Sequence, residues 1–248
     1  MQILNQAGKY AFSYIVIKYS FFFIVFCFII ISLEYGLAIL YRIKIKQGLK
    51  RKTNGVLVLT FDDGPGEKLQ VGLLTLLNKY DIRVTFFLNA ERALQYPEQC
   101  DILKNTRHEV ALHCYKHLNA WRTMPWHVIR DINRASEIMN KWLTNKKLIR
   151  FPYGKFTFST ALYFLIKGFR ISDWTHDSED TNSIPPCPNE LVERILKNNG
   201  GVVLLHSFDR EIDLTIRKKY VLTLTEALIK AAIKNNLKIC TYSELFDQ

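Results

Sequence analysis

Val56-Leu57-Val58-Leu59-Thr60-Phe61-Asp62-Asp63-Gly64-Pro65 runs apolar or β-branched for six positions, then stops at two adjacent carboxylates and a Gly-Pro turn. An uninterrupted run of this kind predicts a strand covered on both faces, as in a parallel sheet flanked by helices. Its end leaves one acid to hold a cation and the other free for proton transfer. A turn in which an Asx side chain bonds the backbone is the plainer reading of the same residues. Two acids alone do not make a site.

The same rhythm repeats downstream. Strand candidates are Val56 to Phe61, Arg83 to Leu88, Glu109 to Leu112, Lys147 to Phe151, Phe169 to Asp173, Val202 to Leu205 and Leu237 to Thr241. Segments of helical period separate them, most clearly Pro125 to Leu143 and Val221 to Ile233. In the second, Leu222, Leu224, Ala227, Leu228 and Ala231 leave a broad apolar face. This alternation implies parallel strands joined by helical crossovers, arranged as an incomplete barrel or an open sheet. Pro185-Pro186-Cys187-Pro188 marks a rigid loop before a helix starting near Asn189. In either architecture the carboxyl ends of the strands form the reactive face. Asp62, Asp63, His113, Arg150, Asp177 and His206 all fall at or just after such ends.

The N-terminal end breaks this pattern. Tyr19 to Leu33 reads YSFFFIVFCFIIISL without a charge, and Tyr35 to Tyr41 continues apolar after Glu34. A spanning helix needs roughly 20 predominantly apolar residues, so residues 19–41 are read as a single-pass anchor, with 1–18 as a tail and 42–55 as a basic linker. A secretory signal is the rival, but its apolar region is usually about 7–15 residues and precedes a small-residue cleavage site. Here Arg42, Lys44 and Lys46 follow instead. Residues 56–248 are left as the catalytic domain.

The formal net charge of +11 is concentrated in that end. Of 34 bases and 23 acids, Lys9, Lys18, Arg42, Lys44, Lys46, Lys50, Arg51, Lys52 and the single acid Glu34 precede Thr53, leaving 26 bases and 22 acids for the remainder. So balanced a domain gives no support to nucleic-acid binding. Six bases after the span against two before it place the domain in the cytoplasm by the positive-inside rule, with an extracytoplasmic domain as the alternative. Cys27, Cys100, Cys114, Cys187 and Cys240 show no knuckle spacing and are odd in number, which agrees with a reducing compartment.

His113 and His117 are four apart, a spacing that brings two imidazoles to one metal from a strand end and its following loop. With a carboxylate from another strand they form a set suited to zinc, or to another divalent ion where positions stay open to water. His108-Glu109 and His113 miss the HExxH pattern by one residue. Arg150, if it points into the rim, would keep a neighbouring carboxylate ionised. His206 follows four apolar residues; it is a half-buried imidazole satisfied by the backbone, or a general acid charged by a nearby carboxylate.

Together these segments resemble the polysaccharide deacetylase family, the NodB-type homology domain of carbohydrate esterase family four. The matching motifs are TFDDGP at Thr60 to Pro65, HxxxH at His113 to His117, RxPYG at Arg150 to Gly154, DxxD at Asp177 to Asp180 and LxH at Leu204 to His206. They lie in order across about Val56 to Leu245. The resemblance implies an α/β fold, a distorted (β/α)7 barrel, and metal-dependent removal of an N-acyl group, usually acetyl, from an amino sugar of a glycan or a lipid-linked saccharide. It implies Asp63, His113 and His117 as ligands of one divalent ion, zinc first, with cobalt, nickel or manganese as alternatives. Asp62 would be the general base and His206 the acid that protonates the leaving amine. Arg150 would hold Asp62 anionic, the backbone N–H of Tyr153 would meet the oxyanion, and Asp177 or Asp180 would charge His206, with Asp177 slightly preferred. Tyr153, Trp174 and Asp180 are the candidate substrate contacts. Three positions depart from the family pattern: Cys114 where Ser or Thr is common, Thr181 where Trp often closes DxxD, and Arg107 in place of glycine. A non-catalytic glycan-binding protein on the same fold and a deformylase of a lipid-linked amino sugar are the alternatives.

Overall fold

In the computed structural model, residues 2–209 and 214–247 are described. The chain opens with one helix, α1 (Gln2–Lys52), and continues through β1 (Val56–Gly64), α2 (Lys68–Lys79), β2 (Thr85–Asn89), α3 (Ala90–Gln95), α4 (Pro97–Lys104), β3 (Glu109–Cys114) and α5 (Pro125–Met139). There follow β4 (Leu148–Arg150), a 3-10 turn at Pro152–Gly154, α6 (Phe158–Ile166), β5 (Arg170–Ser172), β6 (His176–Asp177), α7 (Pro188–Lys197), β7 (Gly200–His206), α8 (Leu214–Lys234) and β8 (Lys238–Ile239). All seven expected strands are present, some of them shorter. The additional β6 is two residues long and has no periodicity to betray it. The helix expected near Asn189 starts at Pro188, whose missing N–H costs nothing in the first turn.

Every strand pairing is parallel, in the order β5-β4-β3-β2-β1-β7-β6, with β8 also pairing β1. The sheet curls into a distorted barrel without closing, because β5 and β6 are its edges. Period-two alternation sorts the side chains. Leu57, Leu59, Phe61, Val110, Leu112, Val203 and Leu205 face the surrounding helices. Val58, Phe87, Ala111, Leu148, Val202 and Leu204 fill the inside of the curl. Continuing the same alternation toward the carboxyl ends turns Asp62, His113, Arg150 and His206 inward on four different strands.

α1 runs unbroken to Lys52, through the expected tail and anchor and most of the basic linker. Its C-terminal part belongs to the barrel. Leu49 is buried in the inner cluster with Val58, Trp174 and Val202. Arg42 Nε donates to Asp173 Oδ2 at 2.6 Å, and Lys46 Nζ lies 5.4 Å from the Trp174 ring centroid. Asp173 and Trp174 join β5 to β6, so α1 lies along the open seam of the sheet. Bases read as a free linker are therefore partly engaged by the domain itself. Upstream, apolar side chains from Ile17 to Leu40 are largely exposed, and α1 is the one helix among the described residues long and apolar enough to cross a membrane.

Candidate active site

Asp62 and Asp63 are neighbours with different environments. Asp62 is turned into the curl, where Arg150 Nη1 donates to its Oδ1 at 2.8 Å. Arg150 is wholly buried and fully engaged: Nη1 also donates to Thr60 Oγ1 at 2.7 Å, Nε to Ser172 Oγ at 3.2 Å and Nη2 to the Asp173 carbonyl at 3.3 Å. Its guanidinium lies over the Phe87 ring at 4.1 Å. Fixed this way, it presents one immobile positive charge to Asp62.

Alternation would send Asp63 to the opposite face. A bulge in the β1–β2 register between Asp62 and Gly64, with Asp63 at φ 64°, brings it back to the rim. Gly64 makes room for this, because a Cβ there would stand 2.4 Å from Ser207 Oγ. Asp63 Oδ1 then lies 3.2 Å from His113 Nε2 and 3.2 Å from His117 Nε2.

Although both nitrogens are that close, Asp63 Oδ1 is buried without a hydrogen bond of acceptable direction. A divalent cation fits this arrangement. The ligand atoms of the three residues all lie within 4.8 Å of one another, and zinc bonds of about 2.0–2.2 Å arranged tetrahedrally put neighbouring ligand atoms roughly 3.3 Å apart. His113 Nδ1 lies 2.7 Å from the Arg150 carbonyl, which can only accept, so the lone pair of that ring is on Nε2, toward Asp63. Burial disfavours charge on Asp63, but the two facing imidazoles outweigh it and hold its carboxyl well below the usual range. Burial likewise works against charge on His113, while Asp63 and Asp62 raise it, so proton and cation compete for one nitrogen.

Two groups that sequence reading passed over hold the loop bearing His117. Asp131, on the buried face of α5, accepts from the backbone N–H groups of Tyr115 and Lys116, both at 2.9 Å. An acid within the apolar stripe Val128, Ile132, Ala135 was the available signal. Asn89 caps α3 through Oδ1 and donates from Nδ2 to Cys114 Sγ at 3.4 Å. The thiol at position 114, where Ser or Thr is common in the family, thus accepts a bond from Asn89.

Asp180, not Asp177, faces His206. Its Oδ1 lies 2.7 Å from His206 Nδ1, and its Oδ2 accepts from His206 N at 3.1 Å and from Arg217 Nη2 at 3.1 Å. Arg217, another residue missed in the sequence, is buried and also donates to the His206 carbonyl at 3.0 Å. The preference for Asp177 is overturned by register: Asp177 pairs opposite Leu204, two residues short of His206, and its exposed carboxylate accepts from Glu179 N. Burial would lower the His206 pKa; Asp180 reverses this and raises it to about 9. Asp180, 1% exposed, is out of reach of a substrate. Trp174 is also buried, beneath Arg42, whereas Tyr153 is 53% exposed with its ring 4.6 Å from that of His117.

The family model for polysaccharide deacetylase matches residues 50–170, which carry Asp62, Asp63, His113, His117 and Arg150. The chain belongs to the polysaccharide deacetylase family. A peptidoglycan-N-acetylglucosamine deacetylase of Bacillus cereus is 29% identical over 152 residues, 60% of this chain and 54% of that protein; the chain thus spans about half the length of that relative. Among solved structures, a peptidoglycan N-acetylglucosamine deacetylase bound to an N-hydroxybenzamide ligand aligns with TM-score 0.70 at 24% identity, over 79% of this chain and 89% of that one. A CE4 family pseudoenzyme from Bacillus anthracis aligns with TM-score 0.67 at 19% identity, over 78% and 66%. Since the deacetylase fold is shared by a pseudoenzyme, the fold alone does not carry an activity.

Proposed function

We propose that this member of the polysaccharide deacetylase family is a membrane-anchored, metal-dependent hydrolase that removes an N-acyl group, acetyl first, from an amino sugar. The observation that carries the reading is the convergence of Asp63, His113 and His117 beside an Arg150-held Asp62. Asp63, His113 and His117 would hold a divalent ion, zinc first, which when bound would supply Lewis-acid polarisation of the acyl carbonyl. Asp62 takes a proton from the attacking water, and its fixed contact with Arg150 keeps it oriented. Tyr153, at φ 59° in the turn after β4, offers its backbone N–H to the developing oxyanion. His206, kept protonated at neutral pH by Asp180, gives its proton to the leaving amine.

The two deacetylases named above support the sugar class: peptidoglycan N-acetylglucosamine is in their names, and an N-acylated amino sugar on a glycan or lipid carrier is the substrate proposed here. The purified full chain should deacetylate N-acetylglucosamine-containing saccharides, lose that activity on exhaustive chelation and recover it with added zinc, cobalt, nickel or manganese. Turnover indifferent to chelation would sink the metal assignment. Stoichiometric metal with no turnover across a panel of N-acyl sugars would favour the glycan-binding reading.

Six bases following the apolar stretch favour a cytoplasmic domain. Cys27, Cys100, Cys114 and Cys187 form no disulfide, and of these only Cys187 is exposed. A reporter joined after Gln248 that functions only in the cytoplasm should be active; activity from an export-dependent reporter instead would reverse the topology.

A further inference from the structure

The direction of α1 relative to the strands determines what the rim faces. Glu34 Oε1 accepts from Ser159 N at 3.0 Å in the first turn of α6, Arg42 meets Asp173 just past the carboxyl end of β5, and Thr53, after the helix, hands the chain to the amino end of β1. The helix therefore descends antiparallel to the strands. The described part of α1 before Glu34 projects from the end of the barrel that carries Asp62, Asp63, His113, His117 and His206.

The residues around that exit are apolar and exposed. Trp121 sits against Tyr35, with ring centroids 6.0 Å apart, and the segment Trp121 to Pro125 shares a notch with Ile30 and Ile31 of the apolar stretch. Met124 is 57% and Trp126 56% exposed, and Phe158 opens α6 on the same side. Arg122 and Lys155 lie among them, with Lys155 Nζ 5.2 Å from the Trp121 ring centroid and 6.0 Å from that of Tyr153. Since the Tyr153 ring touches His117, only Trp121, Lys155 and Tyr153 separate the helix exit from the proposed metal ligands. Aromatic rings mixed with bases beside a spanning helix are the composition of a membrane–water interface.

Resting on the anchor and deacylase readings above, we propose that the catalytic rim is seated on the lipid bilayer through Trp121, Met124 and Trp126, and that its substrate is an N-acylated amino sugar carried on a membrane lipid. The vertical scale supports this. Glu34 and Tyr35 already pack on the domain, so the apolar span ends at Leu33 and not at Tyr41; from there to Arg42, at the level of the strand ends, nine residues of helix span about 14 Å. The head-group layer occupies about 5–7 Å of that on each side of a bilayer. What remains between rim and lipid accommodates a short saccharide on its carrier better than a thick polymer.

The test uses the full chain in phosphatidylethanolamine–phosphatidylglycerol nanodiscs, with brominated acyl chains as a quencher of tryptophan fluorescence. Trp142 and Trp174 are buried and form the unquenched background. Quenching should occur in the natural protein and be largely lost in Trp121→Phe combined with Trp126→Phe; no quenching, or equal quenching in both, overturns the docking face. In the same nanodiscs, polyprenyl-diphosphate-linked N-acetylglucosamine should exceed soluble N-acetylglucosamine tetramer in kcat/KM by at least tenfold. That ratio should shrink severalfold in Met124→Ser combined with Trp126→Ser. Preference for the soluble tetramer overturns the substrate assignment. Quenching with no turnover of either saccharide refutes the deacylase reading, and the substrate with it, while supporting the docked rim.

Discussion

Replacing Asp62 by Asn should lower deacylation by about 10²–10⁴-fold, the usual contribution of a positioned general base, while the full chain still retains its divalent ion. The two halves of this expectation come from the separation of roles at the β1 terminus. Asp63 carries the oxygen aimed at His113 and His117, and Asp62 points to Arg150 instead. Asn keeps an acceptor for the Arg150 Nη1 donor, so the local geometry is retained and the lost property is basicity. Metal content of the purified variant and its kcat on an N-acetylglucosamine saccharide are the measurements. Turnover at the natural level would remove Asp62 from the mechanism, and loss of metal together with activity would place it among the ligands.

Replacing Asp180 by Asn should have a second large effect, on both pH profile and stability. The carboxylate accepts from His206 Nδ1–H and the His206 backbone on one side and from Arg217 on the other. An amide supplies one oxygen and one NH2, so its NH2 must face donors. Breaking a buried charge network in this way typically costs about 3–5 kcal/mol. Catalytically, His206 is raised to about 9 by Asp180; without that anion its pKa falls, and the alkaline limb of kcat/KM should move from near 9 by more than one pH unit toward acid.

The linked stability effect has a definite sign at each end. His206 is raised from an unfolded value of about 6.5, so its contribution is complete below that pH and fades as pH climbs through about 9. Asp180 is lowered, with burial opposing and His206 and Arg217 dominating, so its contribution is present above the unfolded value of about 3.9 and fades as pH drops through its folded pKa. Thermal unfolding of natural protein and Asp180→Asn should therefore differ most between about pH 4 and 6.5. A difference that is constant from pH 4 to 10 would refute the charged pair.

Much of this was legible in the residues. Uniform apolar strands alternating with amphipathic helices announce a parallel sheet, because a sheet covered on both faces needs apolar residues at consecutive positions. Alternation along each strand also carries Asp62, His113, Arg150 and His206 to one interior face once strand ends are located. Supporting residues were harder. Asp131, Asn89 and Arg217 act across gaps of many residues, through hydrogen bonds to backbone or to groups on other elements; Asp131 shows as an acid within an apolar stripe, but no local pattern says which groups the three of them meet.

The primary sequence by itself determined the strand rhythm, the acids and imidazoles at the strand ends, and an apolar N-terminal stretch, since each depends only on neighbours along the chain. Tertiary structure alone decided which acid charges His206, because that depends on the two-residue pairing of β6 with β7. It alone turned Asp63 back to the rim, through a bulge that breaks the alternation. It alone made the basic stretch after the apolar run a wall of the barrel, as the gap between β5 and β6 exists only once the sheet has curled and left two edges for α1 to cover.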